Sequence, residues 1–224
     1  MIDKIKNIFV IPELKNRVLF TLGILITVRL GAHIPIPGID TDVLSAAFQN
    51  YQNTLLGLYN LFAGGAFEKA TIFALGIMPY ISASIIIQLM GTVVPFFQRL
   101  QKEGESGRKK ISQYTRYLTL LLAVIQAVII SIGFNTFIQP DISLITFYFY
   151  SIIGLISGAM VVMYLGELIS DYGIGNGASI LIFVGIISQL PFYIKNTVNL
   201  VNSGTNIINV LSLVVVLILI IFGI

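Results

Sequence analysis

LFAGGAFEKATIFALGIMPYISASIIIQLMG, Leu61 to Gly91, decides how this chain is read. It opens on Gly64-Gly65 and Glu68-Lys69, then becomes a long uncharged run interrupted by Gly76, Pro79, Tyr80, Ser82 and Ser84. Phe62 to Lys69, with its paired-glycine hinge, reads as a short re-entrant helix that does not span. Such pieces persist at membrane depth only where protein or a water-filled cavity surrounds them. In the run that follows, Pro79 is expected to free a backbone carbonyl and kink the span, with Ser82 and Ser84 satisfying freed groups. Ile77, Ile81 and Ile85 share a face at a spacing of four. That face suits either a kinked helix greased for lipid, which periodicity alone favours, or a cavity-lining helix with a hydrophobic constriction.

Composition supports a membrane setting. Of 224 residues, 56% are hydrophobic and 10% charged, with a mean hydropathy of +0.93. A soluble domain carries about 25% charged residues to solvate its surface. The apolar residues fall into separate runs near the ~20 residues that cross a bilayer as a helix. These runs are too long and too rich in Leu, Ile and Val for an outer-membrane barrel. An all-α integral membrane bundle is expected.

Candidate spans are Val18–Ile34, Thr71–Val94, Tyr117–Phe134, Phe149–Gly166, Gly177–Ile194 and Ile207–Ile224. Residues 1–17 are too charged to span; Ile2, Ile5 and Phe9 fall near one face, which suggests a retained, cytoplasmic interfacial helix. Residues 18–206 then form a five-helix body, and 207–224 the start of a sixth helix. The last run carries no flanking charge, so the chain is expected to be part of a longer one. Lys4, Lys6, Lys15 and Arg17 precede the first span, and Arg99, Lys102, Arg108, Lys109, Lys110 and Arg116 follow the second. By the positive-inside rule both segments are cytoplasmic.

There is no cysteine and one histidine, so neither a thiolate site nor a histidine cluster is available. No metal or cofactor is expected. His33, beside Pro35 and Pro37, reads as a structural histidine. Two roles suit Arg29, the one Lys, Arg, Asp or Glu within an expected span: snorkelling to the interface, or pairing inward with a carbonyl or carboxylate. Gly154 and Gly158 form a small-xxx-small pattern for close helix approach. YGIGNGAS, Tyr172 to Ser179, lacks the strand a nucleotide loop needs and reads as a tight turn, with Asn176 or Ser179 capping the next helix. Arg108, Lys109 and Lys110 suit a solvated, topology-setting loop by default, and leave room for a cytosolic partner.

Four stretches carry a resemblance: RLGAHIPIPGID (Arg29–Asp40), IFALGIMPYISASIIIQL (Ile72–Leu89), EGESGRKKISQYTRY (Glu103–Tyr117) and GIGNGASILIF (Gly173–Phe183). In order and spacing, from Lys15 to Leu190, they closely resemble the SecY family, the central subunit of the protein-conducting channel. The resemblance implies ten membrane helices in two inverted halves around an hourglass pore, of which this chain would hold the first half and the start of helix six. It implies a plug at about 61–70, including Phe62, Gly64, Gly65 and Phe67, helical yet loosely packed so that it can move. It puts Ile77, Ile81, Ala178 and Ile182 at a pore ring, Ala178 being smaller than is usual there. It puts Ser82, Ile85 and Gln126 at a lateral gate.

The implied function is to pass unfolded secretory polypeptides across the bacterial cytoplasmic membrane and to release membrane segments sideways into it. The implied partners are the SecE and SecG subunits, the SecA motor ATPase, the ribosome, signal sequences, nascent chains and lipid, with no specific nucleic-acid site. Aliphatic rings suit such a passage, because they bind no sequence strongly and limit ion leak by dewetting. A small-solute secondary transporter is the alternative, but it needs coordinating polar groups near the midplane, and the spans hold no Asp or Glu there. An intramembrane enzyme needs paired acids, Ser-His or metal-binding histidines in the spans, which the sequence lacks.

Overall fold

A computed structural model of the chain describes residues 11–49 and 54–202, together with Ser212 and Val216. Most of the expected interfacial helix over residues 1–17, and nearly all of the expected sixth span, lie outside the described residues. Over residues 11–202, the described residues form these α-helices in order: α1 Pro12–Gly31, α2 Thr41–Gln49, α3 Leu55–Phe62, α4 Met78–Val93, α5 Pro95–Lys102, α6 Glu105–Gly133, α7 Leu144–Tyr172 and α8 Gly177–Asn202. A 3₁₀ turn, Phe134–Phe137, caps α6. Among the described residues there is no strand, only the isolated bridges Pro35–Thr71 and Ile39–Ile138. Contacts divide the chain after Ile186. The second unit, as far as it is described, is helical from Ile187 to Asn202, with Pro191 inside the helix.

Among the described residues, three helices are long and apolar enough to cross a membrane: α6 with its terminal turn, α7, and α8 as far as Asn199. The pair α4 and α5 makes a fourth if the two count as one broken span, bent by 98°. α1 falls outside this set because its 20 residues carry Glu13, Lys15, Arg17 and Arg29. The expected break at residue 17 is absent. Pro12 presets the first turn and Glu13 complements its dipole, so the helix starts there and runs on into the apolar stretch.

Two expected helix starts move. The third span is expected from Tyr117, but α6 begins at Glu105, its polar first turns tied by Lys109–Glu105 at 3.0 Å and Lys110–Glu103 at 3.5 Å. A helix that leaves the bilayer can continue in water on such local pairs. The second span is expected from Thr71, yet Thr71–Ile77 is a series of turns and α4 starts at Met78. Pro79 therefore stands in the first helical turn, where its missing N–H costs nothing. It begins the helix and does not kink it. The sharp bend lies at Val94-Pro95 instead.

In hydrocarbon, apolar burial gives helices little reason to associate, and close backbone approach takes its place. On α6 the buried residues recur every fourth position: Thr115, Thr119, Ala123, Ala127 and Ser131. Opposite them α7 buries Ser151, Leu155, Ala159 and Val162, and Ser151 Oγ donates to Ser131 Oγ at 2.8 Å. Gly158 of α7 lies against the Ile72 carbonyl so closely that any Cβ would collide with backbone, whereas one at Gly154 would meet Ile72 Cγ2 at an ordinary 3.9 Å. In a full-length family chain carrying this sequence, Gly158→Val is expected to destabilise by about 1–3 kcal/mol, a typical overpacking cost. Gly154→Ala is expected to have little effect. Thermal unfolding in detergent checks both; equal midpoints for the two variants would contradict this packing.

Candidate functional site

The backbone between α3 and α4 is neither helix nor strand, and because it is largely buried its polar groups need partners within the protein. The partners are present. Arg29 Nη1 donates to Gly64 O at 2.8 Å. Asn60 and Glu68 bond reciprocally, Asn60 Nδ2 to Glu68 Oε2 at 2.9 Å and Glu68 N to Asn60 Oδ1 at 3.1 Å. Thr71 N and Oγ1 both donate to Ala66 O, while Ile72 N reaches Ile34 O and Ile36 N reaches Ala70 O. Tyr59 Oη donates to Leu75 O at 3.2 Å; burial pushes this phenol above its ordinary range, so it stays a neutral donor. Of the two roles open to Arg29, the structure has the inward one, to a carbonyl. His33 is structural, its Nδ1 2.9 Å from Arg29 O.

This segment differs from the loose helix expected over Phe62–Lys69. The helix lies earlier, at Leu55–Phe62, and Gly64 and Gly65 end it with φ of 65° and 82°. Those left-handed conformations cost glycine little and forbid a continuing right-handed helix. Phe62 is exposed, but Gly64, Gly65 and Phe67 are buried. Phe67, 5% exposed, packs among Phe48, Tyr59 and Phe134 with ring centroids 5.3, 5.1 and 5.6 Å away. The expectation of loose packing is therefore corrected: an aromatic cluster holds the segment.

Below it lies an aliphatic junction. Ile24, Phe73, Ile77, Val162, Ile169 and Leu181 are buried together, with Tyr80, Ile81, Ala178 and Ile182 packed against them. All four residues expected at a ring thus meet in one cluster drawn from α1, α4, α7 and α8. They differ in exposure: Ile77 is 4% exposed, while Ile81, Ala178 and Ile182 are half-buried. Two glycines that sequence reasoning missed make the junction possible. A Cβ at Gly166 would stand 3.2 Å from Ile77 Cδ1 and 3.3 Å from Leu181 Cδ1, and one at Gly185 would stand 3.0 Å from the Phe62 carbonyl oxygen. α8 therefore touches both the junction and the re-entrant segment. The only signal was a small residue on an otherwise bulky helix, which many lipid-facing positions share.

The residues expected at a gate are dispersed. Ser82 is half-buried on α4, Ile85 on the same helix is exposed, and Gln126 lies on α6. No hydrogen bond joins Ser82 to Gln126 among the described residues. Gln126 Oε1 is buried without a hydrogen-bond partner, beside a cavity of about 200 Å³ lined by Leu56, Tyr59, Phe67, Ile129 and Ile130. Such an acceptor is costly until a donor reaches it.

At the opposite end, Arg108, Lys109 and Lys110 are exposed on the first turns of α6. Further along the same helix Arg116 reaches α7: its Nε donates to Glu167 Oε1 at 2.9 Å, and Nη2 lies 2.9 Å from Oε2, within ion-pair range but off the hydrogen-bond direction. In the glycine turn, Asn176 Oδ1 accepts from Ser179 N at 3.1 Å, the cap expected there. Gly175 supplies the left-handed φ of 65°. Among the described residues no group of three or more acids and histidines is placed to hold a metal.

The SecY family model matches residues 71–224. Protein translocase subunit SecY of Escherichia coli (strain K12) is 49% identical over 213 residues, 92% of this chain and 47% of that protein. Its counterpart in Buchnera aphidicola subsp. Acyrthosiphon pisum (strain APS) is 50% identical over 198 residues, 87% of this chain and 45% of that protein. The chain thus spans about half the length of these relatives. Two solved structures share the fold: the structure of a protein conducting channel, at a TM-score of 0.60 and 23% identity, and Sec61 in the canine ribosome-channel complex from the endoplasmic reticulum, at 0.62 and 21%. Each covers 85% of this chain, which covers 42% of each of those chains. With a family match over most of its length and near-50% identity to named members, this all-helical membrane chain belongs to the SecY family.

Proposed function

We propose that this chain forms one half of a polypeptide-conducting channel in the bacterial cytoplasmic membrane, with its N-terminus on the cytoplasmic side. The observation that carries the reading is the convergence of Ile77, Ile81, Ala178 and Ile182 on one aliphatic junction, beside a re-entrant segment that reaches into the same bundle. The relatives' names speak for polypeptide transport and not for solute transport. In this reading the junction is one side of the constriction, and the part of the relatives that this chain does not cover supplies the other. Residues 61–70 act as a plug latched by Arg29 at Gly64 and packed through Phe67. Ser82, Ile85 and Gln126 belong to a lateral exit, where the unpartnered Gln126 oxygen awaits a donor. The basic turns from Arg108 to Lys110 dock cytosolic partners, namely a ribosome or the SecA motor, and SecE- and SecG-type subunits complete the complex. None of the named residues makes or breaks a covalent bond in this scheme; the driving energy comes from the partners or the membrane potential.

Photocrosslinking is the decisive test. A photoreactive residue at Ile81, in a full-length family chain carrying this sequence, is expected to capture a secretory precursor arrested midway. No adduct at normal expression would end the pore-wall reading. In the same chain, Ile81→Asn is expected to loosen the constriction and admit precursors with defective signal sequences; strict rejection would count against the ring. Arg29→Met removes a charge-assisted hydrogen bond of about 1.5–3 kcal/mol. It is expected to raise the resting ion conductance of reconstituted channels about tenfold or more, and an unchanged seal would show that the Gly64 contact is no latch.

A further inference from the structure

Arg116 and Glu167 lie 51 positions apart on different helices, and their surroundings differ from those of the other ion pairs. Lys109–Glu105 and Lys110–Glu103 are within one hairpin and largely solvated, the kind of pair that contributes little. The Glu167 side chain is 13% exposed and that of Arg116 49%. A carboxylate buried to that extent is costly unless a cation answers it. Arg116 answers with one hydrogen bond, Nε to Glu167 Oε1 at 2.9 Å, and with its charge 2.9 Å from Oε2, which has no hydrogen-bond partner.

The position of Glu167 gives the pair its leverage. It directly follows Gly166, whose missing side chain lets Ile77 and Leu181 approach α7. Gly166 also lies against Gly177 at the start of α8, and one turn on, Ser170 Oγ accepts from Gly177 N at 2.9 Å. On α4, Tyr80 lies within electrostatic reach of Glu167, Arg116 and Asp171. The carboxylate thus directly follows the glycine that Ile77 and the first turns of α8 approach, and its partner is anchored on α6.

We propose that the Arg116–Glu167 pair is a positioning clamp: it holds α7 in register with α6, and through Gly166 it sets how closely Ile77 and Leu181 approach, and so which polypeptides the constriction admits. This rests on the reading of the junction as a constriction. The pair touches no substrate; it acts through the packing beneath it.

The test uses a full-length family chain carrying this sequence, with its partner subunits, in membrane vesicles. The readout is the import of a precursor with a defective signal sequence relative to an intact one, at matched membrane abundance. Loss of fold alone lowers abundance and does not move that ratio. Arg116→Gln and Glu167→Gln are each expected to raise the ratio about tenfold, in keeping with the cost of breaking a partly buried pair, and the exchange Arg116→Glu/Glu167→Arg to bring it most of the way back. If both single variants reject defective precursors as strictly as the parent while Ile81→Asn admits them, the clamp is overturned and the ring stands. If Ile81→Asn is strict as well, the ring reading fails and the clamp with it. Should the glutamine variants not accumulate, Arg116→Lys keeps the charge and loses the Nε hydrogen bond. An intermediate ratio supports the clamp, and parental strictness overturns it.

Discussion

Backbone that leaves helical geometry inside a bilayer loses its internal partners and has no water to replace them. The stretch from Ala63 to Ile77 is under that constraint, and much of the molecule is arranged to meet it. Arg29 on α1 closes the Gly64 carbonyl, Ile34 and Ile36 beyond α1 take and give bonds at Ile72 and Ala70, and Asn60 and Glu68 close the loop on themselves. Glycines on α7 and α8 let this irregular backbone approach their helices. Without these partners, the segment would have to become helical or leave the membrane.

The ties on this segment are of two kinds. Its carbonyls and amides are held by single hydrogen bonds, each worth on the order of 1 kcal/mol net. Its apolar side chains are buried: Phe67 is wedged among three rings, and Phe73, Leu75 and Ile77 lie in the core as well. Displacement in the proposed plug role means extracting such side chains as well as exchanging a handful of polar partners. The Gln126 oxygen, unpartnered beside the adjoining cavity, is an acceptor available for such an exchange.

The membrane class, the positions of the apolar stretches and the Asn176 cap could all be read from the letters, because length, hydropathy and local capping are properties of contiguous residues. The start of α6 could not, since the polar turns from Glu105 to Arg116 look like loop until the helix behind them is known. Pro79 misled for a related reason: a proline inside an apolar run means a kink only if the preceding residues are helical, and Thr71–Ile77 are not. The paired glycines marked a break after the short helix but gave no hint that Phe67 would be buried. The convergence of Ile77, Ile81, Ala178 and Ile182 came from family resemblance and not from periodicity, which placed two of them on one helix and was silent on the rest. Arg116 and Glu167, on separate helices, left no trace in either.

The corner between α4 and α5 is stiff. Val94 is its single non-helical residue, Gln98 Nε2 donates across it to Thr92 O at 2.7 Å, and Ile87, Phe97 and Leu100 fill its inside. Gly91 lets the Gln101 side chain lie close against α4 across the corner. A right-angled bracket with a braced corner does not hinge; it turns as one piece. Rotation of α5 about the axis of α4 is therefore delivered to α4 as torque, so a push on this short arm would twist the long one, and Ile81 with it.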